Sequence, residues 1–145
     1  MVQSSATIDT ELPLLLEVQT AQRLYLVPRS HVDYLVKYAS ATLPERDARG
    51  RPVVGCELGA LLDPSDLGLP PRNHALTVAL RRRTVAMLVA RVTNLTAPGP
   101  IQPLGPLLTP RLARPWLLGA VVIADSPVLV LDLRRIAADV ALGVV

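Results

Sequence analysis

Ser30, His31 and Asp33 are the residue types of a nucleophile, a base and its orienting acid. A working triad needs side chains converging from separate elements on one substrate atom, and near neighbours on one stretch do not supply that. Cys56 ends the apolar run Val53-Val54-Gly55-Cys56 with no neighbouring cation to lower its pKa, and reads as a small buried hydrophobe rather than a reactive thiol. Neither His31 nor His74 stands at metal-ligand spacing from it. Glu57 and Asp132 could divide acid and base duties between them. Each instead follows an apolar run and precedes a helical turn, where a carboxylate accepts backbone N–H bonds worth about 1 kcal/mol. No enzyme, metal or cofactor is expected from this set.

Arg81-Arg82-Arg83 could meet phosphate, but it lacks the aromatics that stack bases and reads as a solvated turn. Pro100-Ile101-Gln102-Pro103-Leu104-Gly105-Pro106 has the spacing of a polyproline ligand and also that of a stiff crossover between strands. Asn94-Leu95-Thr96 matches a glycosylation sequon, which is read as accidental because no export signal is expected.

The elements that must position these residues are β-strands. The chain has 145 residues, 50% hydrophobic and 19% charged, which excludes a disordered polypeptide and fits one good core or two small associated subdomains. Its net charge of +3 is carried almost wholly by arginine, with Lys37 the only lysine, so no basic arm for nucleic acid is implied. Fourteen prolines and eight glycines cut it into short Val- and Leu-rich runs. Strands are predicted over Leu14–Gln19, Leu24–Val27, Val53–Cys56, Ala75–Leu80, Val85–Val89, Leu117–Ala124 and Val128–Leu131. Turns are predicted at Thr20–Arg23, Arg81–Arg83 and Asp125-Ser126. A C-terminal helix should be capped by Asp132 and stopped by Gly143, with a shorter helical turn over Glu57–Leu62. Polar residues 1–11 are expected to be a flexible N-terminus. The most apolar stretch, Trp116–Leu131, is broken by Asp125-Ser126-Pro127, so no membrane insertion and a cytoplasmic location are expected.

An internal repeat organises these strands. Pro52-Val53-Val54-Gly55-Cys56-Glu57-Leu58 echoes Pro127-Val128-Leu129-Val130-Leu131-Asp132-Leu133 at an offset of 75, and Leu26-Val27 echoes Leu88-Val89 at an offset of 62. The 13-residue difference places a compressed crossing, Ser40 to Gly50, in the first half against Pro98 to Pro115 in the second. A small curled antiparallel sheet cannot bury both faces alone, so two units are expected to pair around a shared core.

Leu24-Tyr25-Leu26-Val27-Pro28 followed by Val32, then Gly50 to Leu58, Met87 to Val92 and Leu118 to Leu133, stand in an order that resembles the CheW-like adaptors of bacterial chemosensory systems. The first of these segments is similar to that family's first hairpin. Gly50-Arg51-Pro52-Val53-Val54-Gly55-Cys56-Glu57-Leu58 is similar to its Pro-Val-x-Asp-Leu strand, with the proline displaced and Glu57 in place of Asp. Met87-Leu88-Val89-Ala90-Arg91-Val92 resembles a second hairpin, with Ala90 in place of the acid. Leu118-Gly119-Ala120 through Val130-Leu131-Asp132-Leu133 resembles its last strands and helix.

The resemblance implies an all-β fold of two SH3-like barrels with a short C-terminal helix, a single domain over residues 12–145 with approximate subdomains 12–69 and 70–145. It implies a non-catalytic adaptor that couples the regulatory domain of a chemotaxis-type histidine kinase to chemoreceptors or to other CheW-like proteins. Carried over by position, the partner-binding residues are Val27, Pro28, Arg29 and Val32, with Arg29 where the family has an aliphatic residue; Val27 and Val32 read equally well as ordinary core. Between Pro44 and Gly50 a strand and loop that help form the family's receptor-facing region are missing. Two other readings stand beside this one: a barrel-pair oligomerisation module outside chemotaxis, and a nucleic-acid binder through Arg81–Arg83. The adaptor reading predicts no sequence-independent retention of DNA or RNA by the purified chain at any salt concentration, whereas phosphate contacts would give binding that falls steeply as salt rises.

Overall fold

The computed structural model describes residues 14–37, 43–66, 73–95, 99–103 and 115–143. The N-terminal residues 1–11, Thr96 of the sequon and Leu104 to Pro106 of the proline-rich run lie outside them. The strands are β1 (Leu15–Gln19), β2 (Leu24–Pro28), β3 (Tyr34–Lys37), β4 (Val53–Glu57), β5 (His74–Ala79), β6 (Thr84–Val89), β7 (Arg91–Asn94), β8 (Leu117–Ile123) and β9 (Ser126–Leu131), with helices α1 (Leu58–Leu62) and α2 (Leu133–Leu142). The mainly β fold is therefore as expected, and each of the seven predicted strands is present. β3 and β7 are additional. Each is four residues long and mostly exposed, too short to show a periodic pattern.

Tight turns set the hairpins. Thr20 N donates to Arg23 O at 2.9 Å and Leu80 N to Arg83 O at 2.8 Å. The third turn falls one residue earlier than predicted, at Ala124-Asp125, whose φ values of 50° and 65° give the left-handed two-residue connection that matches strand twist. At the C-terminal helix, the Asp132 carboxylate accepts from Arg135 N at 3.2 Å and Gly143 adopts φ 74°, as a cap and a stop require. Glu57 holds the equivalent N-cap position of α1 but makes no side-chain cap bond there.

The strands form a five-stranded sheet, in the order β7-β1-β2-β9-β8, and a four-stranded sheet, β3-β5-β6-β4. The halves of the chain exchange strands. Hairpin β1-β2 receives β7 and β9 from the second half, and hairpin β5-β6 receives β3 and β4 from the first. A division at residues 69/70 thus separates the two sequence repeats but not the two sheets. β9 runs parallel to β2 with Val130 opposite Leu26, and β4 runs parallel to β6 with Gly55 opposite Ala86. This register, with Leu24 and Thr84 both opening the second strand of their hairpins, makes the hairpin offset 60 rather than 62 and the asymmetry 15 residues rather than 13. The even shift keeps every side chain on the predicted face.

The repeat explains the core. Leu16 and Leu76, Val18 and Val78, Tyr25 and Val85, Val27 and Met87 are equivalent pairs, and all pack in one cluster between the sheets together with Leu58, Leu131, Leu133 and Ile136. Each fully buried Leu or Val contributes about 1.5–3 kcal/mol. On the far face of the five-stranded sheet Leu15, Leu26, Val121 and Val130 make a second cluster. Their counterparts on the four-stranded sheet are Ala75, Ala86 and Gly55, and Val121 corresponds to the exposed Glu45, on a strand equivalent to β8 that is reduced to residues 43–46. That remnant still runs antiparallel beside β4, through an Arg46–Pro52 bridge and a Val53 N to Glu45 O bond of 3.0 Å.

A Cβ at Gly55 would stand 2.2 Å from Cδ1 of Leu43, so Leu43 fills part of the space that Val130 fills in the other sheet. Gly55→Val is expected to lower stability in urea unfolding by about 1 kcal/mol, the low end for overpacking because a leucine methyl can rotate away. In the Leu43→Ala background the same substitution should cost nothing or stabilise. A Gly55→Val protein more stable than the parent would contradict this assignment.

Candidate functional site

The link from β2 to β3 crosses from one sheet to the other, and it holds the residues singled out by sequence. A short 3-10 turn, Arg29–His31, is closed by Val32 N donating to Arg29 O at 3.1 Å. It is tied down on several sides: Arg29 N donates to Leu14 O at 2.9 Å, Arg134 Nη2 to Ser30 O at 2.7 Å, and Ala79 N to the Asp33 carboxylate at 2.7 Å. Val27 is 0% exposed and Val32 7%, both in the shared core, and Pro28 is buried. These three residues therefore cannot present their side chains to a partner. They are the footing of the turn, because Val27 and Val32 face the core cluster between the sheets. Arg29 projects to solvent. Just beyond it Tyr34 and Leu35, 54% and 44% exposed, lie on β3, an edge strand among the described residues. The aromatic-aliphatic run Tyr34-Leu35-Val36 was the available signal for this strand.

Ser30, His31 and Asp33 do not converge. Ser30 and Asp33 engage the separate partners just named, and His31 Nδ1 is 3.9 Å from Asp132, beyond hydrogen-bond reach. Burial, and then the Arg134 charge, hold His31 below its ordinary pKa, so the neutral ring dominates. Burial, followed by the Glu57 charge, pushes the Cys56 thiol up to about 12, which makes it inert at neutral pH. Arg83 donates to the Ala141 carbonyl at 3.0 Å and so closes the end of α2. Only Arg81 and Arg82 of the triplet remain at the turn.

A second feature was not foreseen. On the far face of the four-stranded sheet lies a groove of about 360 Å³, lined by Tyr34 and Val36 of β3, Thr77, Thr84, Val53 and the 44–51 segment. That segment is organised by Asp47, whose carboxylate accepts from Thr84 Oγ1 at 2.6 Å, from the N–H groups of Arg49 and Arg51 at 2.9 Å each, and from Arg51 Nε at 2.8 Å. The Thr84 hydroxyl does most to hold the carboxyl far below its usual range, with the Arg51 and Arg49 amides adding to it.

No family model matches the sequence, and no curated protein matches it. Among solved structures the chain is similar to the scaffolding protein TtCheW from Thermoanaerobacter tengcongensis, over 83% of this chain and 90% of that one, at a TM-score of 0.57 and 18% identity. The fold is therefore the CheW fold, two linked β subdomains with a short C-terminal helix. No helix among the described residues is long and apolar enough to cross a membrane.

Because the Asp47 pKa is depressed in the folded state, its stabilisation is complete above its ordinary value of 3.8 and is lost as the pH falls below it. Asp47→Asn is expected to lower stability at pH 7 and to flatten the acid limb of a stability-versus-pH curve measured by urea unfolding. An unchanged acid limb would show that the carboxylate is not the group that organises the 44–51 segment.

Proposed function

We propose that the protein is a non-catalytic adaptor that holds the regulatory domain of a chemotaxis-type histidine kinase against chemoreceptors or other CheW-like proteins. The observation that carries this reading is likeness to a scaffolding protein along nearly its whole length. Its mechanism is geometric. An adaptor of this kind makes no bond; through interfaces of roughly 1,000–1,600 Å² it fixes how its partners are oriented, and so shifts which kinase state is populated.

The crossover between the sheets is the contact surface in this proposal. Arg29 is the contacting side chain, Tyr34 and Leu35 extend the exposed surface beside it, and Val27, Pro28 and Val32 serve as rigid support. A turn held by bonds to Leu14, Ala79 and Arg134 loses little conformational entropy on docking. Arg29 stands where relatives in the adaptor family carry an aliphatic residue, so its charge weakens an otherwise apolar contact. The shortened 43–50 segment alters the region associated with receptor binding, which places kinase coupling ahead of receptor coupling in this chain.

Co-purification of the full chain with the kinase regulatory domain from the same source is expected to succeed, and Arg29→Val is expected to strengthen it. Leu35→Asp, on the exposed edge strand, should weaken it without loss of fold. Failure of the parent chain to bind would overturn the adaptor reading; binding indifferent to both substitutions would retain the function and reject the surface.

A further inference from the structure

The groove on the four-stranded sheet lies where the other sheet carries packed interior. Val36 and Val53 line it, and their repeat counterparts, Leu95 and Val128, pack against the second core cluster. In the five-stranded sheet that cluster is closed by Val121 and Ile123 of β8 and by Ile101 of the crossover, whose neighbour Gln102 exchanges two backbone bonds with Ala120. By register, Val121 and Ile123 correspond to Glu45 and Asp47. Two acids stand where apolar side chains close the other unit, and an open groove of about 360 Å³ is left on this face.

The lining has an apolar floor and a cationic rim. The hydroxyls of its two threonines are already engaged, Thr77 Oγ1 donating to the Tyr34 carbonyl at 2.9 Å and Thr84 Oγ1 to the Asp47 carboxylate at 2.6 Å. With Val36 and Val53 beside them, the floor presents mainly carbon. Asp47 is neutralised within its own segment by Arg51, while its oxygens also accept from Thr84 and two backbone N–H groups. Arg46 gives one N–H to Gly50 O at 2.7 Å, and the Arg49 guanidinium has no partner among the described residues. Both arginines are exposed at the groove, and Glu45 does not line it.

Each part of this lining excludes a class of occupant. A bare inorganic anion would gain nothing from the floor, a neutral hydrocarbon nothing from the rim. A second copy would bring a like-charged rim on a chain of net charge +3. The volume is that of a small-molecule cavity and does not admit a length of polypeptide. We propose that the groove binds one medium-chain fatty carboxylate, its acyl chain against Val36 and Val53 and its carboxylate paired with Arg49 and Arg46. The ligand lies across the face of the sheet and leaves the β3 edge free. Of the exposed residues beside Arg29, Tyr34 lines the groove, whereas Leu35 follows it on the opposite face of β3. The ligand site and the proposed kinase surface therefore meet at Tyr34, but the ligand site is complete in this chain alone.

The test uses the full chain, labelled with 15N and titrated with sodium decanoate below its micelle concentration. Amide shifts that saturate are expected within residues 34–37 and 46–53 and at Thr77 and Thr84. Arg49→Ala, at an exposed side chain that holds nothing else in place, should weaken binding about tenfold. Octanoate should bind about fourfold more weakly than decanoate, the effect of shortening a half-buried chain by one ethylene unit. Arg81→Ala should alter neither affinity, and decyltrimethylammonium, with the same chain and the opposite charge, should not compete. Absence of saturable binding, shifts centred elsewhere, equal binding of the cationic analogue, or indifference to Arg49→Ala would each overturn the proposal. The same amides shifting with protein concentration alone would give the groove to a second copy and likewise overturn it. None of these outcomes bears on the adaptor reading, whose readout is kinase co-purification.

Discussion

The two sheets share one core because neither repeat keeps its own strands. β3 and β4 leave the hairpin that precedes them and join β5-β6; β7, β8 and β9 leave theirs and join β1-β2. Leu16, Val18 and Val27 of the first half therefore pack with Leu76, Val85 and Met87 of the second, and the cluster they form with Leu131 and Leu133 cannot be divided without breaking both sheets. In this arrangement the inward positions are the constrained ones. All four inward pairs stay apolar in an interior packed at crystal-like density; Leu16 and Leu76, and Val18 and Val78, also keep their size, whereas Tyr25 against Val85 and Val27 against Met87 do not.

The outward faces are under no such shared constraint, and there the repeats have diverged. Leu15, Leu26 and Val130 on one sheet correspond to Ala75, Ala86 and Gly55 on the other. With smaller residues and a trimmed fifth strand, the four-stranded sheet leaves a groove where its counterpart has a second core. The 44–51 segment survives as a turn rather than a strand because Asp47 supplies locally, through Thr84, Arg49 and Arg51, the hydrogen bonds that a longer pairing would have made. Divergence thus fell where the fold tolerates it, and it produced the surface that most distinguishes this molecule from a symmetrical pair.

Much of this was legible in the amino-acid order. The recurrence of Pro52–Leu58 as Pro127–Leu133 marks β4-α1 and β9-α2, and Asp132 and Gly143 mark the ends of the last helix. What could not be read was strand exchange, because a repeat in sequence looks the same whether each unit closes on itself or trades strands with its neighbour. Surface and support at the Arg29 turn were confounded for a related reason. Val27 and Val32 have the residue types of an apolar contact and equally those of a core, and only their burial between the sheets decides between them. The groove left no motif, since its lining, Tyr34 and Val36, the 44–51 segment, Val53, Thr77 and Thr84, comes from separate stretches of the chain.

Whether the sheets stand or fall together can be measured by hydrogen exchange of the full chain across a series of sub-denaturing urea concentrations. One shared core requires the best-protected amides of β2 and β9 and those of β4 and β6 to merge into a single opening, of the same free energy and the same urea dependence. A four-stranded sheet that exchanges through its own opening, at clearly lower free energy while β2 and β9 stay protected, would contradict the account.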